Sequence, residues 1–179
     1  NDLGLKICLL QPFHDLEGQP DVQRTRAFDR LEHKFDLMQE LGTNMLLVGS
    51  ATDPGSSSDE SRIVADLAEA ADRAGRRGFK IAYMALPWSR LIQSDDQALQ
   101  IVERVDTPHL GLALNSFFSL ADGSKPARLR EVPGERLFHV QLSDAPRFEI
   151  DIRRFKRHFG LLPGLGALNL AGFVRVLAR

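Results

Sequence analysis

Five short apolar runs constrain this chain more than any other feature: Leu5 to Gln11, Asn44 to Gly49, Lys80 to Leu86, Leu110 to Asn115 and Leu137 to Leu142. Near-continuous apolar runs of this length read as strands buried on both faces. The stretches between them are long enough to hold a helix, which makes them parallel βα units and not hairpins. Phe28, Leu31, Phe35, Met38 and Leu41 fall at helical spacing, and Gly42 closes that helix. Ser57 to Glu60 reads as a capping box ahead of Ile63, Val64, Leu67 and Ala71, with Gly75 as the stop. Ser94 to Gln97 reads as another, ahead of Leu99, Val102 and Val105, with Thr107-Pro108 as the break. Leu170, Phe173, Val174 and Leu177 make a final amphipathic helix. These stripes are core.

Parallel units of this kind close into an eight-stranded barrel or lie in an open doubly wound sheet. The strand interiors favour the barrel. Leu110, Leu112 and Leu114 share one face of their strand, and Gly111, Ala113 and Asn115 share the other. The last strand puts His139 and Gln141 on one face and Phe138, Val140 and Leu142 on the other. A narrow face with a polar tip suits a barrel lumen, whereas a sheet covered by helices on both sides is bulky on both. No linker divides the chain, so residues 1–179 are expected to form a single partial barrel domain.

Totals exclude several function classes. The net charge of −1 arises from 23 basic and 24 acidic residues without a long block of either sign, so neither nucleic acid nor an anionic membrane is an expected partner. The densest basic stretch, Arg153, Arg154, Lys156 and Arg157, reads as a solvated face with one arginine able to meet an anionic substrate. The single cysteine, Cys8, lies in an apolar run and is expected to be a buried structural thiol, which fits a cytoplasmic setting. No apolar stretch approaches the roughly 18 residues of a membrane span, and no signal-peptide pattern opens the chain.

In a βα barrel the working groups sit at the carboxyl ends of the strands. Here these are Gln11, Ser50, Met84, Asn115 and Gln141, a set with no carboxylate or histidine, while the loop Thr52 to Ser58 overhangs the same end. The glycine-rich stretch Gly160 to Gly166 lacks the lysine of a phosphate-binding loop and reads as a turn. Neither a paired-cysteine zinc motif nor a nucleophile elbow occurs. Of the histidines, His33 and His109 are expected to be solvated and His139 to be a hydrogen-bonded core residue. His14 and His158 lie in loops and are candidate substrate-binding groups together with Arg157; no residue stands out as catalytic.

Five blocks in order, Gln11-Pro-Phe-His14 with Glu17-Gly18, Ile81 to Arg90, Leu110 to Phe118, Val140 to Pro146 and Arg157 to Gly166, resemble the signature blocks of bacterial 3-dehydroshikimate dehydratases. These belong to the sugar-phosphate isomerase/epimerase superfamily of xylose isomerase-like TIM barrels. The resemblance implies an α/β parallel (β/α) TIM barrel, present here as about five βα units of a truncated or incomplete barrel. It also implies one divalent cation, Mg²⁺, Mn²⁺ or Co²⁺, and elimination of water from 3-dehydroshikimate to give protocatechuate.

Carried over by position, the family's first ligand glutamate is Met84, its aspartate is Asn115, and Gln141 alone is kept; the last glutamate would lie beyond Arg179. Family histidines are replaced at Leu91 and Phe118. A thioether and two amides bring no negative charge to a hard cation, so metal binding is expected to be weak or absent. The reading that follows is a barrel with a degenerate metal site, weakly active or inactive. An active metal-dependent lyase, a sugar-phosphate isomerase or epimerase, and a non-enzymatic module binding a small anion stay open as alternatives. The family's first two strands would precede Asn1 and its eighth would follow Arg179, so self-association through open barrel edges is expected.

Overall fold

A computed structural model of the chain describes residues 3–120, 127–146 and 160–178. Strands β1 (Leu10–Phe13), β2 (Met45–Gly49), β3 (Lys80–Met84), β4 (Leu110–Asn115) and β5 (Leu137–Gln141) form one parallel sheet in the order β1-β2-β3-β4-β5. Helices α1 (Asp21–Leu41), α2 (Glu60–Arg76) and α3 (Asp95–Val105) follow the first three strands, α4 (Ser116–Leu120) caps β4, and α5 (Leu170–Leu177) closes the described chain. This is the βα alternation and parallel pairing that the apolar runs require.

Each strand sorts its residues between two faces. Leu46, Val48, Ile81, Tyr83, Leu110, Leu112 and Leu114 pack outward with Phe28, Leu31, Phe35, Leu67 and Leu99 of the helices. Leu47, Ala82, Met84 and Ala113 form a separate inner cluster. Both faces are apolar, and the strand alanines, Ala82 and Ala113, lie on the inner one, as in a barrel wall.

The inner face departs from the expected alternation at β5. The register slips between Leu112 and Ala113, which pair with Leu137 and His139. The extra residue, Phe138, therefore stays on the inner side and covers Gly111, where a Cβ would lie 2.5 Å from the Phe138 ring. Gly111 is small because the ring occupies its side-chain space. Burial lowers the pKa of the neighbouring His139 imidazole.

The first strand is shorter and later than the apolar run. Leu10 is the first residue with a ladder partner, Leu46, so residues before it run past the amino end of β2 and have nothing to pair with there. Leu5 is 75% exposed. Cys8, expected to be buried, is exposed for the same reason.

The helix caps also differ from expectation in one place. Ser94 and Gln97 make the expected capping box of α3, and Gly42 takes the left-handed conformation that ends α1. Helix α2, however, is capped by Asp59, which accepts from Ser61 N at 2.9 Å; Ser57 Oγ instead accepts from Asp59 N at 3.0 Å. It runs past Gly75 to Arg76. Gly75 serves another end: a Cβ there would lie 2.4 Å from the ring of His109, which is half-buried against the helix.

Helices α1 and α2 are joined by charge as well as by packing. Arg24 Nε meets the buried Asp66 at 2.6 Å, and Arg24 and Arg73 both grip Glu69. The two guanidinium groups lie over the Phe28 ring, 4.6 and 4.7 Å from its centroid. Stacking of this kind adds to the ion pairs, and both guanidinium groups keep about a third of their side-chain surface in water.

Candidate mouth of the barrel

The carboxyl ends of the strands surround a cavity of about 440 Å³. One wall is polar. Gln141 Nε2 donates to Gln11 Oε1 at 2.8 Å, and Asn115 Nδ2 donates to Gln141 Oε1 at 3.0 Å. This ladder of amides links β1 to β5, the first and last strands of the sheet, across the mouth. Asn115 Oδ1 in turn accepts from Phe117 N at 3.0 Å and Ser143 Oγ at 3.4 Å.

The other walls are apolar. Met84, Leu47 and Leu86 line the cavity with Trp88, Phe117 and Phe118. Trp88 and Phe118 meet edge to face with centroids 5.2 Å apart. His14 enters from the loop after β1 and lies against Gly49, where a Cβ would come within 2.9 Å of both His14 Nδ1 and Leu86 Cδ1. Gly49 thus leaves the space that His14 fills.

The proposed site residues divide by position. Gln11, Met84, Asn115, Gln141 and His14 come together at the mouth. Ser50 does not. It is fully buried behind the rim, where its hydroxyl donates to Ile92 O and accepts from Leu86 N. Leu91, at one of the family's histidine positions, packs on the outer core. Arg157 and His158, with Arg153, Arg154 and Lys156, lie outside the described residues.

Two carboxylates that the strand pattern did not single out hold the loops around the mouth. Glu17 is buried; its Oε1 accepts from Ala51 N at 2.7 Å and from the Tyr83 hydroxyl at 2.9 Å. Its Oε2 has no partner among the described residues. Burial raises the Glu17 pKa to about 7 against the pull of these donors, while burial and the Glu17 carboxyl push the Tyr83 phenol well above its ordinary range. Asp15 Oδ1 accepts from Thr52 N and Asp53 N at 2.7 and 3.0 Å, so the loops after β1 and β2 are fastened together. Its own loop gave Glu17 away only through the Glu17-Gly18 pair, to which no role attached.

Asp144 does the same on the far side. It is buried, and burial pushes its carboxyl up, but N–H groups of Leu168, Ala145, Gly166 and Gly164 outweigh this and hold its pKa below the ordinary value. The glycine-rich stretch read as a turn is one, wrapped around this internal anion. Gly166 has no room for a side chain, since a Cβ would lie 2.3 Å from Asp144 Oδ1.

A hard divalent cation does not fit the donors at the mouth. The carbonyl oxygens of Gln11, Gln141 and Asn115 each already accept a hydrogen bond, and Met84 offers only a soft thioether. Among the described residues no three His, Cys, Asp or Glu side chains are placed to hold a metal. Nor, among them, is any helix long and apolar enough to cross a membrane.

Known proteins resemble the chain along its length. A family model described as a xylose isomerase-like TIM barrel matches residues 1–179. A 3-dehydroshikimate dehydratase of Pseudomonas putida is 42% identical over 173 residues, which is 97% of this chain and 27% of that protein. A solved xylose isomerase-like TIM barrel/4-hydroxyphenylpyruvate dioxygenase fusion protein superposes with a TM-score of 0.95 at 41% identity, covering 98% of this chain and 28% of its own. A crystal structure of IolI protein with a bound zinc atom shares the fold with a TM-score of 0.86 at 22% identity, over 96% of this chain and 63% of that one. The chain thus spans about a quarter of the length of the dehydratase it matches.

Proposed function

The chain belongs to the xylose isomerase-like TIM barrel family, and on that premise we propose that it is a dehydroshikimate-dehydratase-like barrel whose mouth works without a divalent cation and is weakly active or inactive as a lyase. One observation carries this reading: the amides of Gln11, Gln141 and Asn115 bond to one another where a metal would need free anionic oxygens. Removal of water from 3-dehydroshikimate, the activity named for the Pseudomonas putida relative, needs charge stabilisation at the substrate carbonyl and a base beside it. His14 is the only titratable side chain among the described residues lining the cavity. It could bind or move a proton but leaves the carbonyl unsupported.

Calorimetric titration with Mn²⁺, paired with an assay for protocatechuate formed from 3-dehydroshikimate, tests the reading. Absent heat of binding and no metal-dependent product formation support it. Micromolar Mn²⁺ affinity would overturn it in favour of an active lyase or isomerase. The small-anion module finds its support in His14 alone among the described residues.

A further inference from the structure

Glu17 lies behind the mouth, yet it is tied to two of its walls. The residue is 1% exposed; Oε1 takes both donors, Ala51 N and the Tyr83 hydroxyl, while Oε2 has no partner among the described residues. The bond to Ala51 reaches the mouth in two directions. Ser50 and Ala51 hold both ends of the segment that carries Trp88: Ser50 Oγ accepts from Leu86 N at 2.9 Å, and Ala51 O accepts from Arg90 N at 2.8 Å. On the other side, His14 precedes Glu17 on the same loop and fills the notch at Gly49, next to Ser50. Between His14 and Glu17, Asp15 has a left-handed backbone with φ 54°, a conformation that a non-glycine residue keeps only while its surroundings hold it.

The groups around Glu17 favour its protonated form. Asp15 on the same loop is a like charge and opposes ionisation. Tyr83 of β3 is a neutral donor. Asp66 of α2 accepts from Gly18 N and is matched by Arg24 of α1, while Arg30 of α1 donates to the backbone carbonyls of His14 and Asp15. Asp53, in the loop after β2, accepts from Gly55 N. An ionised carboxylate kept dry beside Asp15 is unfavourable, and a shift of its loop toward water relieves it.

We infer that Glu17 is a proton-operated positioning residue for the mouth: with its proton it holds Ala51 and so fixes the His14 and Trp88 walls, and without it the loop after β1 moves out and loosens both. A Glu17 pKa raised by burial to about 7 puts this change near neutrality. The inference goes beyond the metal-free reading and holds whether or not the mouth takes a cation.

Trp88 is the sole tryptophan of the chain, so its emission reports on this wall directly. The test follows that emission in the full chain from about pH 5.5 to 8.5, with far-UV circular dichroism to show that the fold persists. The expected result is a one-proton transition with a midpoint at about pH 7, absent in Glu17→Gln and retained in His14→Gln, which removes the imidazole of the mouth itself. Tyr83→Phe takes a donor from the ionised carboxyl and is expected to move the midpoint upward. A flat emission profile, a transition that survives Glu17→Gln, one lost in His14→Gln, or a parallel loss of the circular dichroism signal overturns the inference. Should Glu17→Gln fail to fold, the Tyr83→Phe midpoint decides, and an unmoved midpoint overturns it.

Discussion

The Tyr83 hydroxyl donates to Glu17 Oε1 across 2.9 Å, joining the outer face of β3 to the loop after β1. Because Glu17 is buried with its pKa raised to about 7 from 4.5, the fold binds a proton that the unfolded chain has already released between those values. Stability from this group is full below about pH 4.5 and is lost as pH rises to about 7, a swing of about 3 kcal/mol. Glu17→Gln keeps the acceptor for both donors and has nothing to ionise. Urea unfolding at pH 4.5 and pH 8 is expected to show that the variant gains about 3 kcal/mol relative to wild type between the two conditions. An unchanged difference would show that Glu17 does not hold the proton.

Gly49→Ala tests the space that His14 occupies. The new methyl would sit 2.9 Å from both His14 Nδ1 and Leu86 Cδ1, so both must give way. The expected cost is about 1–3 kcal/mol in chemical denaturation, the range for overfilling a packed site. A shift in the Trp88 emission should accompany it, since Trp88 lines the same cavity. An alanine accepted without either change would mean that His14 is loosely held.

Restoring acids should restore metal binding. In Met84→Glu with Asn115→Asp, two carboxylates join Gln141 in the one cavity, giving a hard cation the charge it lacks. Isothermal calorimetry is expected to show Mn²⁺ binding in the double variant. Without metal, the variant should be less stable by roughly 2–5 kcal/mol, because like charges are then confined together away from water. Failure of Mn²⁺ to recover that loss would place the ligand deficit elsewhere.

Asp144→Asn is expected to loosen the loop it holds. The carboxylate accepts from Gly164 N at 3.0 Å and Leu168 N at 3.1 Å, and an amide offers weaker acceptance with an unwanted donor. Hydrogen exchange at Gly164 and Leu168 should accelerate while that of β2 and β3 stays unchanged. With the Asp144 pKa lowered, its stabilisation is present above the ordinary carboxylate value and fades as pH falls through the folded one. Exchange at the same amides should therefore quicken in acid, after correction for the intrinsic rate.

We also propose that the chain self-associates through its sheet edges. Among the described residues, β1 and β5 each pair with a strand on one side only, and Leu3 and Leu5 are exposed just before β1. Light scattering over micromolar concentrations should show a mass above that of one chain. A monomeric mass throughout would exclude it.

Much of the frame was legible because strand burial writes itself into sequence. The apolar runs at β2 to β5 and the Gly42 and Ser94 caps of α1 and α3 needed only local pattern. Errors arose where a neighbour decides. Leu5 and Cys8 look like strand residues, but pairing begins only where β2 lies alongside. Phe138 turns inward because one residue is inserted in the β5 register, which alternation cannot reveal. At the mouth, Met84, Asn115 and Gln141 could be placed from strand ends. The roles of Glu17 and Asp144 depend on donors from Ala51, Tyr83 and Leu168 that are distant in sequence.

The fastening carboxylates face away from the cavity they frame. Asp15 and Asp144 spend their hydrogen bonds on loops, Glu17 spends its own on a loop and on Tyr83 of β3, and none of them lines the mouth. Foundation and facade are therefore separable: acids at the strand tips can be traded for amides and rings while the loops stay pinned. What the mouth recognises can therefore change without cutting the bonds that pin these loops.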